Sequence, residues 1–129
     1  MNLKLQVLAT KSFSRWVRKN KIAHQELFSA AAEMAQGLID ADLGGHVVKK
    51  RVAWVDEAGQ SGALPNVATN FGNKWIYIFG YEKNERSNID ISELKALQEL
   101  AKPLLELSID KTSEAILYGE LIDLDGVKT

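Results

Sequence analysis

The sequence predicts an α+β fold, in which an N-terminal strand and a helical hairpin pack on an antiparallel β-sheet and a helix follows at the C-terminal end. Two kinds of pattern predict it. Apolar side chains recur at helical spacing in residues 11–38 and 92–104, whereas residues 47–55 and 74–81 are rich in β-branched and aromatic types. With 129 residues, 46% of them hydrophobic, the chain can bury one core, so we expect a single domain over residues 1–129.

The first half of the chain is predicted to form a strand, two helices and a second strand. Residues 3–8 largely alternate between apolar and polar side chains, which favours a short half-buried strand. Phe13, Trp16 and Val17 then share one side of an amphipathic helix that begins at Lys11. The elements predicted next are an amphipathic helix over residues 27–38, a loop over 40–45 and a strand over 47–55.

The middle of the chain is predicted to hold the centre of the sheet. Residues 56–66 have the Gly, Ser, Pro and Asn content of a connection, which should lead into a strand near 67–70. A tight turn at 71–73 then begins a strand at Lys74 that is apolar on both faces and therefore central. Strand alternation assigns its side chains to two faces, Trp75, Tyr77, Phe79 and Tyr81 on one and Ile76 and Ile78 on the other.

The last part of the chain is predicted to be helical and acidic. Ser92 is the candidate cap of a helix that Pro103 should kink or end near Lys102. Beyond it we expect a short helix over 111–118, a stop at Gly119 and a strand over 120–124. Residues 1–89 carry 12 Lys and Arg against 8 Asp and Glu, whereas residues 90–129 carry 4 against 9. This segregation predicts an acidic C-terminal segment from about residue 106 and is compatible with an RNA-facing surface elsewhere.

Several classes of function are excluded by composition. The chain has no cysteine, so disulfides, thiolate metal sites and cysteine nucleophiles are impossible. Its two histidines, His24 and His46, are not in a metal-ligand spacing, so we expect no metal and no cofactor. No segment has the length and apolarity of a signal sequence or a membrane span, and we therefore expect a cytoplasmic protein without membrane contact.

Cations near the end of the central strand are the candidate functional groups. Alternation places Lys49 and Arg51 on one face of their strand and Lys50 on the other, with Val48, Val52 and Trp54. Lys83 and Arg86 follow the central strand, so in an antiparallel sheet they can converge with the first pair on a phosphate. Without metal ligands or a cysteine nucleophile, the chemistry that fits such a patch is metal-independent RNA cleavage, in which the ribose 2′-hydroxyl attacks the adjacent phosphate.

Five runs of the chain together form a recognisable pattern. They are FSRWVRKN (13–20), AAEMAQGLIDADLGGHVVKKRVA (31–53), VATN (67–70), KWIYIFGYEKNERSNI (74–89) and SELKALQELA (92–101). With these runs the sequence resembles a branch of the RelE/HigB-type toxins of bacterial type II toxin–antitoxin systems, within the RelE/ParE superfamily. The resemblance covers most of the chain, and its VVKKR and FGYEKNER blocks are specific.

The resemblance implies a RelE-like toxin fold and an endoribonuclease that cleaves mRNA on the ribosome, inhibits translation and is silenced by a helix-turn-helix antitoxin encoded beside it. Lys49 and Arg51 match basic residues two apart on a strand, and Lys83 and Arg86 match basic positions after the last strand of the family's sheet. These four residues are the expected catalytic set. The expected RNA contacts are Lys50, Asn84, Gln60, Arg15 and Arg18.

One segment departs from the family pattern. Members of this branch carry a GKSGGxRT-like loop with a lysine and an arginine, where this chain reads AGQSGALPN over residues 58–66. Gln60 replaces the lysine, Leu64 or Pro65 replaces the arginine, and Asp56 and Glu57 add negative charge. Two functions therefore stay open: an active endoribonuclease toxin, or a catalytically weak homologue that binds its antitoxin or the ribosome. A third, DNA gyrase poisoning as in some relatives, has no feature in its favour.

Overall fold

A central β-sheet with helices on both of its faces organises the computed structural model, which describes residues 5–82 and 88–125. The fold class is α+β, as the sequence predicts. Its elements are β1 (Gln6–Thr10), α1 (Lys11–Asn20), α2 (His24–Ala35), β2 (Ala41–Gly44), β3 (Val47–Val55), β4 (Ser61–Phe71), β5 (Lys74–Gly80), α3 (Ile91–Leu105), α4 (Ile109–Leu117) and β6 (Leu121–Asp123).

The sheet is mostly antiparallel and has the strand order β2-β3-β4-β5-β1-β6. The pair of β1 and β5 is parallel, with Gln6 opposite Lys74 and Ala9 opposite Tyr77, so the predicted antiparallel sheet holds for the other pairs. The β3–β4 hairpin is the longest pairing, with Val47 opposite Thr69 at one end and Val55 opposite Ser61 at the other. β4 and β5 lie in the middle, which confirms the strand from Lys74 as central.

One face of the sheet is covered by α1 and α2. Thr10 caps α1 by accepting the Phe13 N–H at 3.3 Å, which suits a threonine at this position. The Phe13 ring stacks on Tyr77 with centroids 5.1 Å apart, and the Tyr77 hydroxyl donates to the Leu27 carbonyl at 2.8 Å. This layer, the first core, is formed by Val7, Ala9, Phe13, Val17, Leu27, Ala31, Met34, Val52, Leu64, Ala68, Trp75 and Tyr77, with others.

The other face is covered by α3 and α4. Asp90 and Glu93 form a capping box at the start of α3, so Ser92, the predicted cap, lies inside the first turn instead. The helix continues through Pro103 to Leu105, so the predicted end near Lys102 is wrong, and the alternative of a kink at Pro103 stays a prediction. This layer, the second core, comprises Leu8, Val47, Val67, Ile76, Ile78, Leu97, Ala101 and Leu121, with Leu104 and Ile116 packed against it.

The structure also corrects the prediction for residues 40–66. A short strand, β2, replaces the predicted loop at 40–45, and it was missed because Asp and Gly are depleted in strands. β4 begins at Ser61 and not near residue 67, because Pro65 is tolerated within it. The Pro65 carbonyl accepts the Tyr81 N–H at 3.2 Å, so Pro65 lies opposite the chain just after the end of β5. The β4–β5 ladder ends at this point, and the N–H that proline lacks is not needed for it.

A β-bulge in β5 changes the predicted faces of that strand. The pairing register shifts between Val67, opposite Phe79, and Ala68, opposite Tyr77. Phe79 therefore packs against the second core instead of sharing a face with Tyr77. Gly80 then faces α1, and the Trp16 ring lies directly on it, where an added Cβ would overlap the ring.

The C-terminal elements agree closely with prediction. α4 is capped by Ser108, which accepts the Lys111 N–H at 3.1 Å, and it is followed by Gly119 at φ 77°. β6 pairs antiparallel with β1 at the edge of the sheet, with Leu121 opposite Thr10. Within residues 5–82 and 88–125, no helix has both the length and the apolarity needed to cross a bilayer.

Candidate functional site

The outer half of the β3–β4 hairpin is covered on one face only. On this face Val47 and Val67 lie in the second core and Pro65 is buried, but Arg51 and the residues further toward the tip are open to solvent. We call this surface the open face. It consists of Lys49, Arg51, Ala53 and Val55 on β3 with Ser61 and Ala63 on β4.

Lys49 and Arg51 lie next to each other on the open face, as alternation predicts. Their Cα atoms are about 6.6 Å apart, two residues of a strand that rises about 3.3 Å per residue. The Arg51 side chain is 58% exposed. The Lys49 side chain is half-buried, and within residues 5–82 and 88–125 its ammonium makes no hydrogen bond or ion pair. Two adjacent cations that water can reach can bind one phosphate or two neighbouring ones.

Arg51 is held by a carboxylate from the α2–β2 connection. Its backbone N–H donates to Asp40 Oδ2 at 2.6 Å, and its Nε donates to Asp40 Oδ1 at 3.2 Å. The Asp40 backbone N–H in turn donates to the Lys49 carbonyl at 2.9 Å. Asp40 therefore contacts the backbones of both candidate cations.

Lys50 points away from the open face, as predicted. Its Nζ lies 3.0 Å from Glu33 Oε1 on α2, and its side chain is only 13% exposed. Val52 and Trp54, two and four residues further on, share this face and contact the first core. The covered face of β3 thus anchors the strand to α2, and the Lys50 ammonium is already paired.

The tip of the hairpin carries two carboxylates, Asp56 and Glu57. The Asp56 carboxylate accepts the Gln60 N–H at 2.8 Å, and the Asp56 N–H donates to the Gln60 carbonyl at 3.0 Å. These bonds close a tight turn in which Gly59 has φ 84°. Asp56 therefore has a structural role in the turn, and Gln60 presents an exposed amide beside it.

An open groove of about 840 Å³ lies between this tip and the end of α1, and its lining includes Val55, Ser61 and Ala63 of the open face. Its walls include Lys19, Lys21, Glu57 and Glu82, so its charge is mixed. Trp54 also lines it and donates from Nε1 to the Asn20 carbonyl at 2.6 Å, which ties the hairpin to the end of α1.

Of the other predicted site residues, the two arginines of α1 are not on the open face. Arg15 and Arg18 are exposed on α1, which covers the opposite face of the sheet. Lys83, Asn84 and Arg86 lie outside the described residues. The predicted convergence of four cations therefore stays a prediction, with Lys49 and Arg51 as its described half.

The perturbed ionisable groups are structural. Burial lowers the pKa of Lys74, whose Nζ donates to the Leu107 carbonyl and to Thr112 Oγ1 beneath α4. Burial, and secondarily the Glu33 carboxylate, raise the pKa of Tyr77. Neither group lies on the open face. Within residues 5–82 and 88–125, no cluster of three or more His, Asp or Glu side chains is arranged to hold a metal ion.

Sequence reasoning missed the two carboxylates that pair with the β3 cations. Asp40 and Glu33 are 11 and 17 residues from their partners Arg51 and Lys50, so no local spacing links them. The only available signal was the run DADLGG itself, in which Asp40 immediately precedes an unrecognised edge strand.

Fold and site together define a class: small α+β proteins that present strand-borne cations on a sheet face not covered by helices. A family model described as "RelE toxin of RelE / RelB toxin-antitoxin system" matches residues 5–124. The chain therefore belongs to the RelE toxin family, a component of toxin–antitoxin systems with an antitoxin partner.

A second comparison finds similarity to part of much larger proteins. Residues of this chain are 33% identical over 86 positions to "Probable inorganic carbon transporter subunit DabA" of Bacillus cereus strain AH820 and of Bacillus anthracis strain CDC 684. The match covers 63% of this chain, and the chain spans about a tenth of the length of these curated relatives. Because so little of each relative is matched, no activity of these relatives is inferred for this chain.

Proposed function

We propose that this protein is a metal-independent endoribonuclease toxin that cleaves mRNA, inhibits translation in the cytoplasm and is silenced by a helix-turn-helix antitoxin. The observation that carries the proposal is the open face, on which Lys49 and Arg51 stand side by side and accessible on a rigid strand. Side chains on a strand that is fixed by a core are held more precisely than side chains on loops, as phosphoryl chemistry requires. Membership of the RelE toxin family agrees with this assignment.

The proposed reaction is a transesterification within the RNA. The 2′-hydroxyl loses its proton and attacks the adjacent phosphorus, the bond from phosphorus to the 5′-oxygen breaks, and that oxygen takes up a proton. Arg51 is permanently charged and stabilises the negative charge that develops on the phosphoryl oxygens. Lys49 contacts the same phosphate or its neighbour. Lys83 and Arg86 are assigned to the same phosphate, and Asn84 to positioning the RNA.

Further RNA contacts are assigned to groups around this centre. Gln60 at the hairpin tip offers an exposed amide, and Arg15 and Arg18 form part of the cationic surface of α1. Lys50 was also a candidate, but its ion pair with Glu33 makes it the weakest of the set. Because α1 and the open face are on opposite sides of the sheet, one RNA strand would have to pass the sheet edge to contact both. Separate RNA segments, such as mRNA and the ribosome, fit this arrangement better.

A second candidate function is supported by the hairpin tip. Gln60 and Leu64 or Pro65 stand where the family pattern has a lysine and an arginine, and Asp56, which is fixed in the turn by its hydrogen bonds, adds negative charge beside them. Loss of one preorganised donor costs about 100-fold or more in rate. The alternative is therefore a catalytically weak homologue that regulates its system by binding the antitoxin.

Induced expression of this chain alone in bacteria tests the proposal. We expect growth arrest with cleaved transcripts, and relief when the neighbouring gene is co-expressed. Primer extension on total RNA measures the cuts, and the Arg51→Ala variant at equal soluble expression is the control. Normal growth with intact transcripts would refute the nuclease, and co-purification of the neighbour's product would then favour the binding protein.

A further inference from the structure

We propose that Asp40 is the positioning residue for Arg51: it fixes the direction of the guanidinium so that the free end of this group meets the phosphate. The inference rests on the proposed function for its catalytic consequence, but the contact on which it is based is independent of that function. Asp40 acts through Arg51, whose backbone N–H and Nε both donate to its carboxylate.

The contact exists because the edge strand β2 does not extend as far as Arg51. β2 begins at Ala41, which is opposite Lys49, so no β2 residue is paired with Arg51. The Arg51 N–H would therefore lack a strand partner at this edge, and Asp40 Oδ2 accepts it at 2.6 Å. The side-chain carboxylate takes the place of a main-chain carbonyl and prolongs the β2–β3 ladder by one bond.

The second carboxylate oxygen of Asp40 orients the Arg51 side chain. Asp40 Oδ1 accepts Arg51 Nε at 3.2 Å, so main chain and side chain of one residue bind the two oxygens of one carboxylate. A guanidinium has five N–H donors in a fixed plane, and the four on its terminal nitrogens stay available for a phosphate. Asp40 itself is fixed by its N–H, which donates to the Lys49 carbonyl at 2.9 Å.

The exposure of the pair argues for orientation rather than stability. The side chains of Arg51 and Asp40 are 58% and 28% exposed, and ion pairs so open to water contribute little to folding. An unrestrained arginine, in contrast, samples many rotamers, and each immobilised long side chain costs binding free energy. Asp40 removes that freedom before RNA arrives.

The opposite role, in which Asp40 competes with RNA for Arg51, predicts a different outcome. Asp40→Asn removes one negative charge beside the phosphate, so in both cases RNA should bind as tightly as before or more tightly. If Asp40 positions Arg51, kcat falls at the same time. If Asp40 inhibits, kcat rises or stays constant.

The experiment measures kcat and KM for mRNA cleavage in a translating extract with the full chain. We expect Asp40→Asn to lower kcat at least ~10-fold while KM stays equal or falls. Asp42→Asn, which removes the same charge from β2 without touching Arg51, should change kcat less than ~2-fold. In an Arg51→Lys background, which lacks the Nε donor but keeps the backbone N–H, Asp40→Asn should lower kcat clearly less than in the wild type, because both changes remove the same side-chain interaction. An undiminished kcat in Asp40→Asn, or an equal loss in both backgrounds, would refute the proposal.

A second measurement does not depend on cleavage. In the ¹⁵N–¹H spectrum of the folded protein, the Arg51 Nε–Hε signal should be sharp and slow to exchange with water, and it should shift and broaden in Asp40→Asn but not in Asp42→Asn. An Arg51 signal that is the same in all three proteins would show that the side chain is not held. If the wild type holds Arg51 but cleaves no RNA, the proposed function fails while the positioning contact stands.

Discussion

The alternation of side chains along β3 can be tested by three substitutions at consecutive positions. Lys49→Ala and Arg51→Ala each remove a cation from the open face, and Lys50→Ala removes one from the face covered by α2. All three change the net charge by the same amount. A difference in RNA binding between them therefore reports the direction of the side chain and not the overall charge.

The expected magnitudes follow from exposure and pairing. Each lost contact to a single-stranded phosphate makes the negative slope of log K against log salt less steep by about 0.7. The ratio of wild-type to variant affinity should therefore fall by about 2.6-fold when salt is raised from ~50 to ~200 mM. Lys50 is 13% exposed and paired with Glu33, so Lys50→Ala should leave the slope unchanged. Its cost should be in stability, about 1 kcal/mol or less from the ion pair and the buried stem.

The assay is fluorescence anisotropy with a labelled single-stranded RNA at several salt concentrations, with circular dichroism to show that each variant is folded. We expect Lys49→Ala and Arg51→Ala to flatten the slope and Lys50→Ala to leave it parallel to the wild type. If Lys50→Ala flattened the slope most, with all variants folded, the open face would not be the RNA-binding face.

Two further predictions concern the open face and the packing of the Trp16 ring on Gly80. Ala63→Arg places a guanidinium on the open face diagonally across from Arg51, and it should raise cleavage about 10-fold, whereas Gly62→Arg, which points to the other face, should not. Equal effects of the two in the cleavage assay would contradict this. Gly80→Ala pushes a Cβ into the Trp16 ring and should cost about 1–3 kcal/mol, or about 4–12 °C in Tm by calorimetry. Gly62→Ala, which meets no atom within 4 Å, is the control, and equal melting of both proteins would refute the packing argument.

Much of the fold could be predicted because local patterns agree with the tertiary environment. β3 has the predicted bounds, since its β-branched residues alternate between a covered and an open face. The start of β4 could not be predicted, because Pro65 marks a connection unless the chain opposite it is known. The N–H that Pro65 lacks is not needed in the ladder, and this can be seen only from the pairing of β4 with β3 and from the position of the end of β5.

The site was predictable as far as a single strand determines it. Alternation alone separates Lys49 and Arg51 from Lys50, and the structure confirms this separation. The partners of these cations depend on which segments meet across the sheet edge, so Asp40 and Glu33 could not be found from local spacing. The roles of the cations themselves stay predictions.

The bulge in β5 marks the point where pattern reasoning fails for a physical reason. Strict alternation assigns Phe79 to the face of Tyr77, but one extra residue in the ladder reverses every side chain that follows. The residue types in the run KWIYIFG do not indicate the bulge, because both faces of the strand are apolar and a change of face leaves no trace in the pattern. Its effect is to bring a glycine, and not a phenylalanine, beneath Trp16.

The division of β3 into a covered and an open face has a consequence for how such a protein can evolve. Substitutions at Val48, Val52 and Trp54 are constrained by the core, whereas those at Arg51, Ala53 and Val55 meet mostly solvent. Mutations can therefore accumulate on one side of a single strand with little effect on folding. Changes at these alternate positions would alter the proposed RNA-binding surface while the rest of the fold stays unchanged.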